Sequence, residues 1–148
     1  GLERTGRDRK HFEVWGGGFI ATGRDADEVA RQFEWCRYRI AFYGSTRSYS
    51  PVLRLHGWDD LAAELHEMSK RGQWKEMAAQ VPDAVVHEFV AAAPHRDLKA
   101  AVEKRFGGLV DSIALGFADE VPAGLARELV SDLRTIPHAF QGFPQSWA

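Results

Sequence analysis

The sequence of 148 residues contains one cysteine, no strong excess of either charge and no long apolar run. Because Cys36 stands alone, neither an intramolecular disulfide framework nor a cysteine-rich zinc site is available. The 19 basic and 21 acidic side chains give a formal charge of −2, without the basic excess of a dedicated nucleic-acid-binding protein. No apolar stretch approaches the roughly 18 residues of a membrane-spanning helix.

What the chain does contain is the composition of a globular domain, with 45% hydrophobic and 27% charged residues. Its length corresponds to about one ordinary domain. No apolar segment follows the charges of Glu3 and Arg4, so we do not expect a signal peptide here. We therefore expect a cytoplasmic protein that has neither a membrane nor a nucleic acid as its partner.

Apolar periodicity predicts an alternation of strands and helices. Aromatic and β-branched residues in 12–21 favour a strand, and the three glycines within it indicate a bulge or a close backbone approach. Asp25, with Glu28 three residues later, is typical of a helix start, and apolar spacing continues that helix to Tyr43. A loop of mixed character follows. Further helices are predicted at about 58–72, 74–81, 82–89, 94–106 and 122–137.

Two more segments favour strands, the short apolar run 89–92 and the longer run 109–117. The second is apolar almost throughout, which is typical of a parallel strand buried on both faces. The resulting order of elements indicates βαβ units with parallel pairing. Three strands make a poor parallel sheet, however, and a closed eight-stranded barrel needs about 250 residues. Either the strands pair with another copy of the chain, or the chain is one half of a larger barrel.

The six histidines raise a metal hypothesis that their spacing does not support. His66 and His87 each precede a glutamate, as in a zinc-protease motif, but Lys70 and Ala91 stand where the second histidine is needed. We therefore predict no metal site. Cys36 falls on the apolar face of its predicted helix, which indicates an inert core thiol.

The segment 40–58 concentrates aromatic rings, hydroxyl groups and cations around a loop with glycine and proline. Rings that stack and side chains that donate hydrogen bonds suit a planar polar ligand. The alternative is a structured connection closed by its own aromatic side chains. The candidate substrate-pocket residues are Tyr43, Ser45, Thr46, Tyr49, His56 and Trp58.

A second candidate site lies where a helix is predicted to begin at Pro94. Backbone amides at a helix N-terminus favour anions, and two side chains that can be cationic stand beside them. The preceding alanines offer no side-chain cap, so the alternative is an uncapped helix start in solvent. The candidate cofactor-binding residues are Ala93, Pro94, His95 and Arg96.

The run RYRIAFYGSTRSYSPVLRLHGWDDLAAELHEMSKRGQWKEMAAQVPD, followed by PHRDLKAAVEKRFGGLVDSIAL, resembles the C-terminal part of the luciferase-like monooxygenase superfamily. Within it, the closest likeness is to flavin- or coenzyme F-420-dependent oxidoreductases, and it covers most of residues 10–117. This resemblance implies an α/β fold, a helix-rich partial TIM-type barrel. The chain would supply roughly the last three β/α units as one segment, 1–148, with a helical insert at about 59–81.

The resemblance also implies hydride transfer to or from a small-molecule substrate, with FMN or coenzyme F-420 as the cofactor of the intact parent. In the family, a turn after the penultimate strand lies near the cofactor phosphate, and the matching positions here are Ala92, Ala93, Pro94 and His95. We expect a C-terminal fragment without a complete active site, which associates with the missing N-terminal half of the barrel or forms a homo-oligomer. The alternative is a non-catalytic, self-associating α/β module or a small-ligand binder.

Overall fold

A computed structural model of the chain describes residues 1–115 and 121–143. The strands are β1 (Trp15–Gly16), β2 (Phe19–Gly23), β3 (Val90–Pro94) and β4 (Ser112–Ile113). The helices are α1 (Leu2–Thr5), α2 (Ala26–Gly44), α3 (Ser50–Leu55), α4 (Asp59–Lys70), α5 (Asp83–Phe89), α6 (Leu98–Phe106) and α7 (Ala123–Leu133). Short 3-10 helices cover Arg9–His11, Arg47–Tyr49, Glu76–Gln80 and His95–Asp97. No helix in the described ranges is long and apolar enough to cross a bilayer.

The chain divides into two compact units, Phe19–Pro94 and the combination of Gly1–Gly18 with His95–Ala148. Among the described residues, each unit holds one two-stranded parallel sheet, β2 with β3 in the first and β1 with β4 in the second. The expected helix-rich α/β fold is confirmed, and the described residues contain no closed barrel.

Helix α2 begins where the sequence predicts it. The Asp25 carboxylate accepts a hydrogen bond from the Glu28 amide at 2.9 Å, and the Glu28 carboxylate accepts one from the Arg24 amide at 2.7 Å. Both carboxylates thereby bind amides that the helix itself leaves unpaired. In a capping box, the glutamate carboxylate usually accepts from the amide of the N-cap residue, which here is Asp25. Glu28 accepts instead from the amide of Arg24, one residue earlier.

The core of the Phe19–Pro94 unit forms where α2 and α4 pack with β2, β3, α5 and the 3-10 helix Glu76–Gln80. The predicted apolar spacing of the helices is confirmed, since Cys36 and Ile40 of α2 and Leu65 and Met68 of α4 are all buried. The buried cluster comprises Ala21, Cys36, Ile40, Ala41, Leu65, Met68, Met77, Val81, Val85, Val86 and Val90.

The thiol of Cys36 is expected to resist modification while this core is intact. The side chain is fully buried, and burial raises the pKa of Cys36 to about 11, so little reactive thiolate forms near neutral pH. At pH 8, a chromogenic disulfide reagent should modify the folded chain at the rate of unfolding. The urea-unfolded chain is the control and should react at once. Rapid stoichiometric labelling of the folded chain would contradict this burial.

The predicted strand 12–21 is wrong in its continuity, because it consists of β1 and β2, which belong to different sheets. Gly17 and Gly18 separate the two strands. Glycine loses more conformational freedom than other residues when it is held in a strand, and it offers no side chain for packing. The three predicted strands therefore do not lie in one parallel sheet, because β2 pairs with β3 and β1 pairs with β4.

The predicted strand 109–117 is much shorter in the structure, where β4 is Ser112–Ile113. The amides of Leu109 and Val110 donate to the Phe106 carbonyl at 3.1 and 3.3 Å, so this stretch closes the end of α6 instead of extending a ladder. Residues 116 and 117 of the prediction lie outside the described residues.

Two helix boundaries also differ from the prediction. The segment 47–55, predicted as a loop, contains a 3-10 turn and then α3, where Pro51 occupies the first turn and needs no amide partner. Pro94 is the last residue of β3, and the helical segment predicted from Pro94 begins one residue later, as the 3-10 helix His95–Asp97, and continues as α6 from Leu98.

In the unit formed by 1–18 and 95–148, the carboxylate of Asp111 joins three segments of the chain. It accepts hydrogen bonds from the amides of Val14 at 2.7 Å, Ala139 at 3.1 Å and Phe140 at 2.9 Å. Arg9 pairs with it at 2.8 Å, and the Asp111 side chain is only 1% exposed. Burial acts to raise the pKa of Asp111, but the amides of Val14 and Phe140, with Arg9, hold it below its ordinary value.

The stability of this unit should therefore fall in acid. Because the pKa of Asp111 is lower in the folded than in the unfolded chain, its contribution is complete above the ordinary value of 3.8 and is lost as the pH falls below it. Urea unfolding of the native chain between pH 7 and pH 3 measures this loss. An Asp111→Asn variant should lose less stability over that range, and an identical pH dependence in both proteins would contradict the assignment.

Candidate functional site

The carboxyl ends of β2 and β3 lie side by side. The parallel register pairs Phe19 with Val90 at one end and Gly23 with Pro94 at the other. In parallel α/β sheets, ligands bind beyond the carboxyl ends of the strands. The edge formed by Gly23 and Pro94, named here the carboxyl edge, is therefore the candidate functional site of the Phe19–Pro94 unit.

Gly23 brings the backbone of β2 directly against the first turn of α2. A Cβ atom at this position would lie 2.3 Å from the Cβ of Glu28 and 3.0 Å from the backbone nitrogen of Val29. Only glycine fits this approach without a shift of the helix. The sequence marks the turn, but the distance to α2 depends on the fold.

The charges next to Gly23 are already paired. The Arg24 Nε donates to Glu28 at 2.6 Å, and this hydrogen bond, with that from the Arg24 amide, lowers the pKa of Glu28 to about 2. Glu28 is therefore ionised at neutral pH and offsets the charge of Arg24. Neither side chain is poised as a general acid at this pH.

Beyond the other strand, the chain continues from the buried Ala93 through the partly buried Pro94 into the 3-10 turn His95–Asp97. Arg96 and Asp97 are both exposed and pair at 3.3 Å. Helix α6 follows, and no side chain caps its first turn. A guanidinium group and the amides of a helix start are the donor types that bind phosphate, so this turn fits a phosphate in its chemistry.

The predicted substrate-pocket residues lie at the opposite end of the strand pair. The Tyr43 ring lies 6.2 Å from that of Phe19, the first residue of β2, and 5.5 Å from that of Tyr49. The Arg39 guanidinium donates to the Tyr43 hydroxyl at 2.8 Å. Tyr43 and Tyr49 thus belong to an aromatic cluster at the amino end of β2.

His56 and Trp58 form a second cluster at the same end. Their rings stack at 4.4 Å, and Trp58 packs on Phe89 at 6.2 Å. Phe89 immediately precedes β3, whose first residue pairs with Phe19, so both clusters lie beside the amino ends of the strands. The substrate-pocket role of these residues stays a prediction, while their ring contacts favour packing.

Ser45 and Thr46, although adjacent in sequence, differ in solvent exposure. Ser45 is buried and its hydroxyl donates to the Phe42 carbonyl at 2.7 Å, whereas Thr46 is exposed at the start of a 3-10 turn. The Ser45 carbonyl lies 2.9 Å from Nδ1 of His66, and the Arg47 Nε donates to Nε2 of His66 at 3.1 Å. Because Nε2 of His66 accepts this hydrogen bond, the proton of the neutral ring lies on Nδ1, which donates to the Ser45 carbonyl. Sequence spacing did not reveal this contact, because it joins residues on separate helical segments.

No group of three or more histidine, cysteine or acidic side chains that could hold a metal ion occurs within residues 1–115 and 121–143.

Comparison with known proteins identifies the family. Residues 1–112 match the family model of the luciferase-like monooxygenases, and the chain belongs to that family. Proteins of Mycobacterium bovis and of two strains of Mycobacterium tuberculosis, described as uncharacterized, are each 42% identical to it over 113 residues. That alignment covers 76% of this chain and 33% of each relative, so the chain spans about one third of the length of these curated relatives. No solved structure matches the chain.

Members of this family generally use flavin or F-420 cofactors and act on small molecules.

Proposed function

We propose that this chain is the C-terminal part of a flavin- or coenzyme F-420-dependent oxidoreductase. It would supply roughly the last three β/α units of a TIM-type barrel as a single segment, 1–148, with 59–81 as a helical insert. The observation that carries the proposal is the parallel pair β2–β3, joined by α2 and further helices, in a chain of this family. An intact barrel of this kind closes with eight such strands.

The residues that would hold the cofactor phosphate are Arg96 and the first turn of α6. When bound, FMN or coenzyme F-420 supplies the hydride chemistry. The guanidinium of Arg96 would donate to phosphate oxygens, and the amides at the start of α6 would add to the positive potential there. Asp97 holds the guanidinium through its ion pair and also offsets part of its charge, so the amides share the binding.

The rest of the site would come from the missing N-terminal half of the barrel. In barrels of this type, residues from several strands meet at the carboxyl face, and the described residues supply only two five-residue strands. This chain alone should therefore bind neither cofactor tightly. The alternative, a non-catalytic self-associating module or a small-ligand binder, predicts no affinity for either cofactor in any context.

A chimaera tests the proposal. This chain would replace the matching third of the Mycobacterium tuberculosis relative, whose 42% identity makes a compatible fold reasonable. Titration with FMN and with coenzyme F-420, followed by visible absorbance, should show binding to the chimaera within about tenfold of the intact relative. The isolated chain should bind at least about 100-fold more weakly.

The outcomes separate the two hypotheses. Tight cofactor binding and full turnover by the isolated chain would show that it has a complete site and would contradict its description as a fragment. A folded chimaera that binds neither cofactor, beside an intact relative that binds one, would favour the non-catalytic alternative. The intact relative is the control for folding and for cofactor choice.

A further inference from the structure

His66 of α4 binds the segment that follows α2 through both of its ring nitrogens. Nδ1 donates to the Ser45 carbonyl at 2.9 Å, and Nε2 accepts from the Arg47 Nε at 3.1 Å. Among the described residues, these are the only hydrogen bonds that join residues 45–49 to α4. The hydrogen-bonded attachment of this segment to α4 therefore depends on one half-buried ring.

The bond from Arg47 exists only while the ring is neutral. A neutral imidazole has one nitrogen that donates and one that accepts, whereas the protonated ring donates from both. After protonation, the N–H at Nε2 of His66 would face the guanidinium of Arg47, which is also a donor and also positively charged. The hydrogen bond would be lost and the two cations would repel each other. The bond to the Ser45 carbonyl would remain, because Nδ1 carries a proton in both forms.

The segment around Arg47 has few other contacts that could hold it. Within residues 1–115 and 121–143, the Arg47 guanidinium has no hydrogen bond or ion pair besides the bond to His66. The 3-10 helix Arg47–Tyr49 is exposed along its length and is closed by the bond from the Tyr49 amide to the Thr46 carbonyl at 2.9 Å. Segments with few buried contacts open at low cost in free energy, so loss of the Arg47 bond should loosen this turn.

One further charge acts on His66, and it lies on α4 itself. The hydrogen bond from Lys70 to the adjacent Glu67, at 2.9 Å, lowers the pKa of Glu67 and keeps its carboxylate ionised. Glu67 attracts a protonated His66, whereas Arg47 repels it. Protonation therefore releases Arg47 without leaving the new charge on the ring unopposed.

The charged side chains on the other elements packed against α4 do not bind His66. Helix α4 packs on α2, α3 and the 3-10 helix Glu76–Gln80. Most of the nearby cations on these elements have their own partners, and the remaining acid is exposed: Arg37 pairs with Glu34 and Asp83, Arg39 donates to Tyr43, Arg54 pairs with Asp59, and Glu76 lies in solvent. Among the described residues, Arg47 and Glu67 are therefore the charges that act most directly on the ring.

We propose that His66 is a pH-sensitive switch that attaches the 3-10 helix Arg47–Tyr49 to α4 when its ring is neutral and releases it when the ring is protonated. Histidine is the side chain whose charge ordinarily changes between about pH 5 and 8, so the switch would act near physiological pH. The ring of Tyr49 lies 5.5 Å from that of Tyr43. Release of the turn would therefore also loosen the aromatic cluster at the amino end of β2.

Amide hydrogen exchange of the whole 148-residue chain tests the proposal, with the protection factor of the Tyr49 amide compared at pH 8 and pH 5.5. In the native chain it should fall about three- to tenfold at the lower pH, as expected for the loss of one hydrogen bond. His66→Gln should abolish the fall, because the glutamine oxygen can accept from Arg47 and its NH2 group can donate to Ser45, but neither titrates. His56→Gln is the matched control, since it removes another histidine of this region and should keep the native fall.

Two further measurements keep the test decisive if His66→Gln does not fold. Arg47→Ala should show low protection of Tyr49 at both pH values, and nitrogen NMR of the native chain at pH 8 should find the His66 proton on Nδ1, a signature that a purely packing role would not require. Equal protection at both pH values in the native chain would overturn the proposal. So would a fall that persists in His66→Gln or Arg47→Ala, a fall abolished by His56→Gln, or a neutral His66 ring with its proton on Nε2. These measurements involve no cofactor, so their outcome is independent of the proposed enzymatic role.

Discussion

Replacing Asp111 with asparagine should lower the free energy of unfolding of its unit by about 3 kcal/mol. The carboxylate accepts three amide hydrogen bonds and pairs with Arg9 while almost fully buried. Asparagine has nearly the same shape, but one acceptor oxygen becomes an NH2 donor. In one orientation of the asparagine, its NH2 group would face Arg9 and the Val14 amide; in the other, it would face the amides of Ala139 and Phe140. In either case, buried donors would lack an acceptor.

Urea unfolding at pH 7 measures this loss. Asp132→Asn is the matched control, because Asp132 is an exposed acidic residue in the same unit and its substitution should change stability by less than about 0.5 kcal/mol. Equal stability of the two variants would show that the Asp111 contacts do not hold the N-terminal segment and the segment around Phe140 together. The pH profile of the same variants gives an independent check.

Replacing Gly23 with alanine should destabilise the Phe19–Pro94 unit by about 2–3 kcal/mol. The new methyl group would overlap Glu28 and the backbone at Val29, and backbone atoms cannot rotate away as a flexible side chain can. Helix α2 would have to move from β2, which weakens the core and also displaces the carboxyl edge.

Gly124→Ala is the control, because it is expected to raise stability where Gly23→Ala lowers it. Gly124 lies in α7 with nothing within 4 Å of an added Cβ, so alanine should stabilise the helix by about 0.5 kcal/mol through its higher propensity. Thermal unfolding of both variants, with hydrogen exchange of the β2–β3 amides, measures the effects. A Gly23→Ala chain as stable as the native one would contradict the close packing of β2 on α2.

The helices of this chain could be predicted because their determinants are local. Asp25 and Glu28 mark the start of α2, and the spacing of Leu98, Val102 and Phe106 identifies the buried face of α6, where all three are buried. The alternation of predicted strands and helices indicated the α/β class, and the family followed from the run between Arg37 and Asp83 with the run that begins at Pro94. These signals need no knowledge of distant partners.

The strands and the sites could not be predicted to the same extent, because they depend on residues far apart in sequence. The run after Leu109 has strand composition, but Asp111 within it binds the amides of Val14 and Phe140 and fixes a short β4. The aromatic residues of 40–58 suggested a pocket, but the length of α2 carries Tyr43 to the amino end of β2. Composition identifies groups that can bind a ligand without indicating the end of the sheet at which they lie.

The preference of the chimaera for a phosphorylated over a phosphate-free cofactor tests the central claim most directly. FMN would be compared with riboflavin, and coenzyme F-420 with its phosphate-free chromophore, in the chimaera and in its Arg96→Ala variant. Lys104→Ala, at the other end of α6, is the control. The account predicts that Arg96→Ala weakens binding of the phosphorylated form by about 10- to 100-fold and leaves binding of the phosphate-free form unchanged. Lys104→Ala should leave binding of both forms unchanged. An unaltered preference in Arg96→Ala would contradict the placement of the cofactor phosphate at the start of α6.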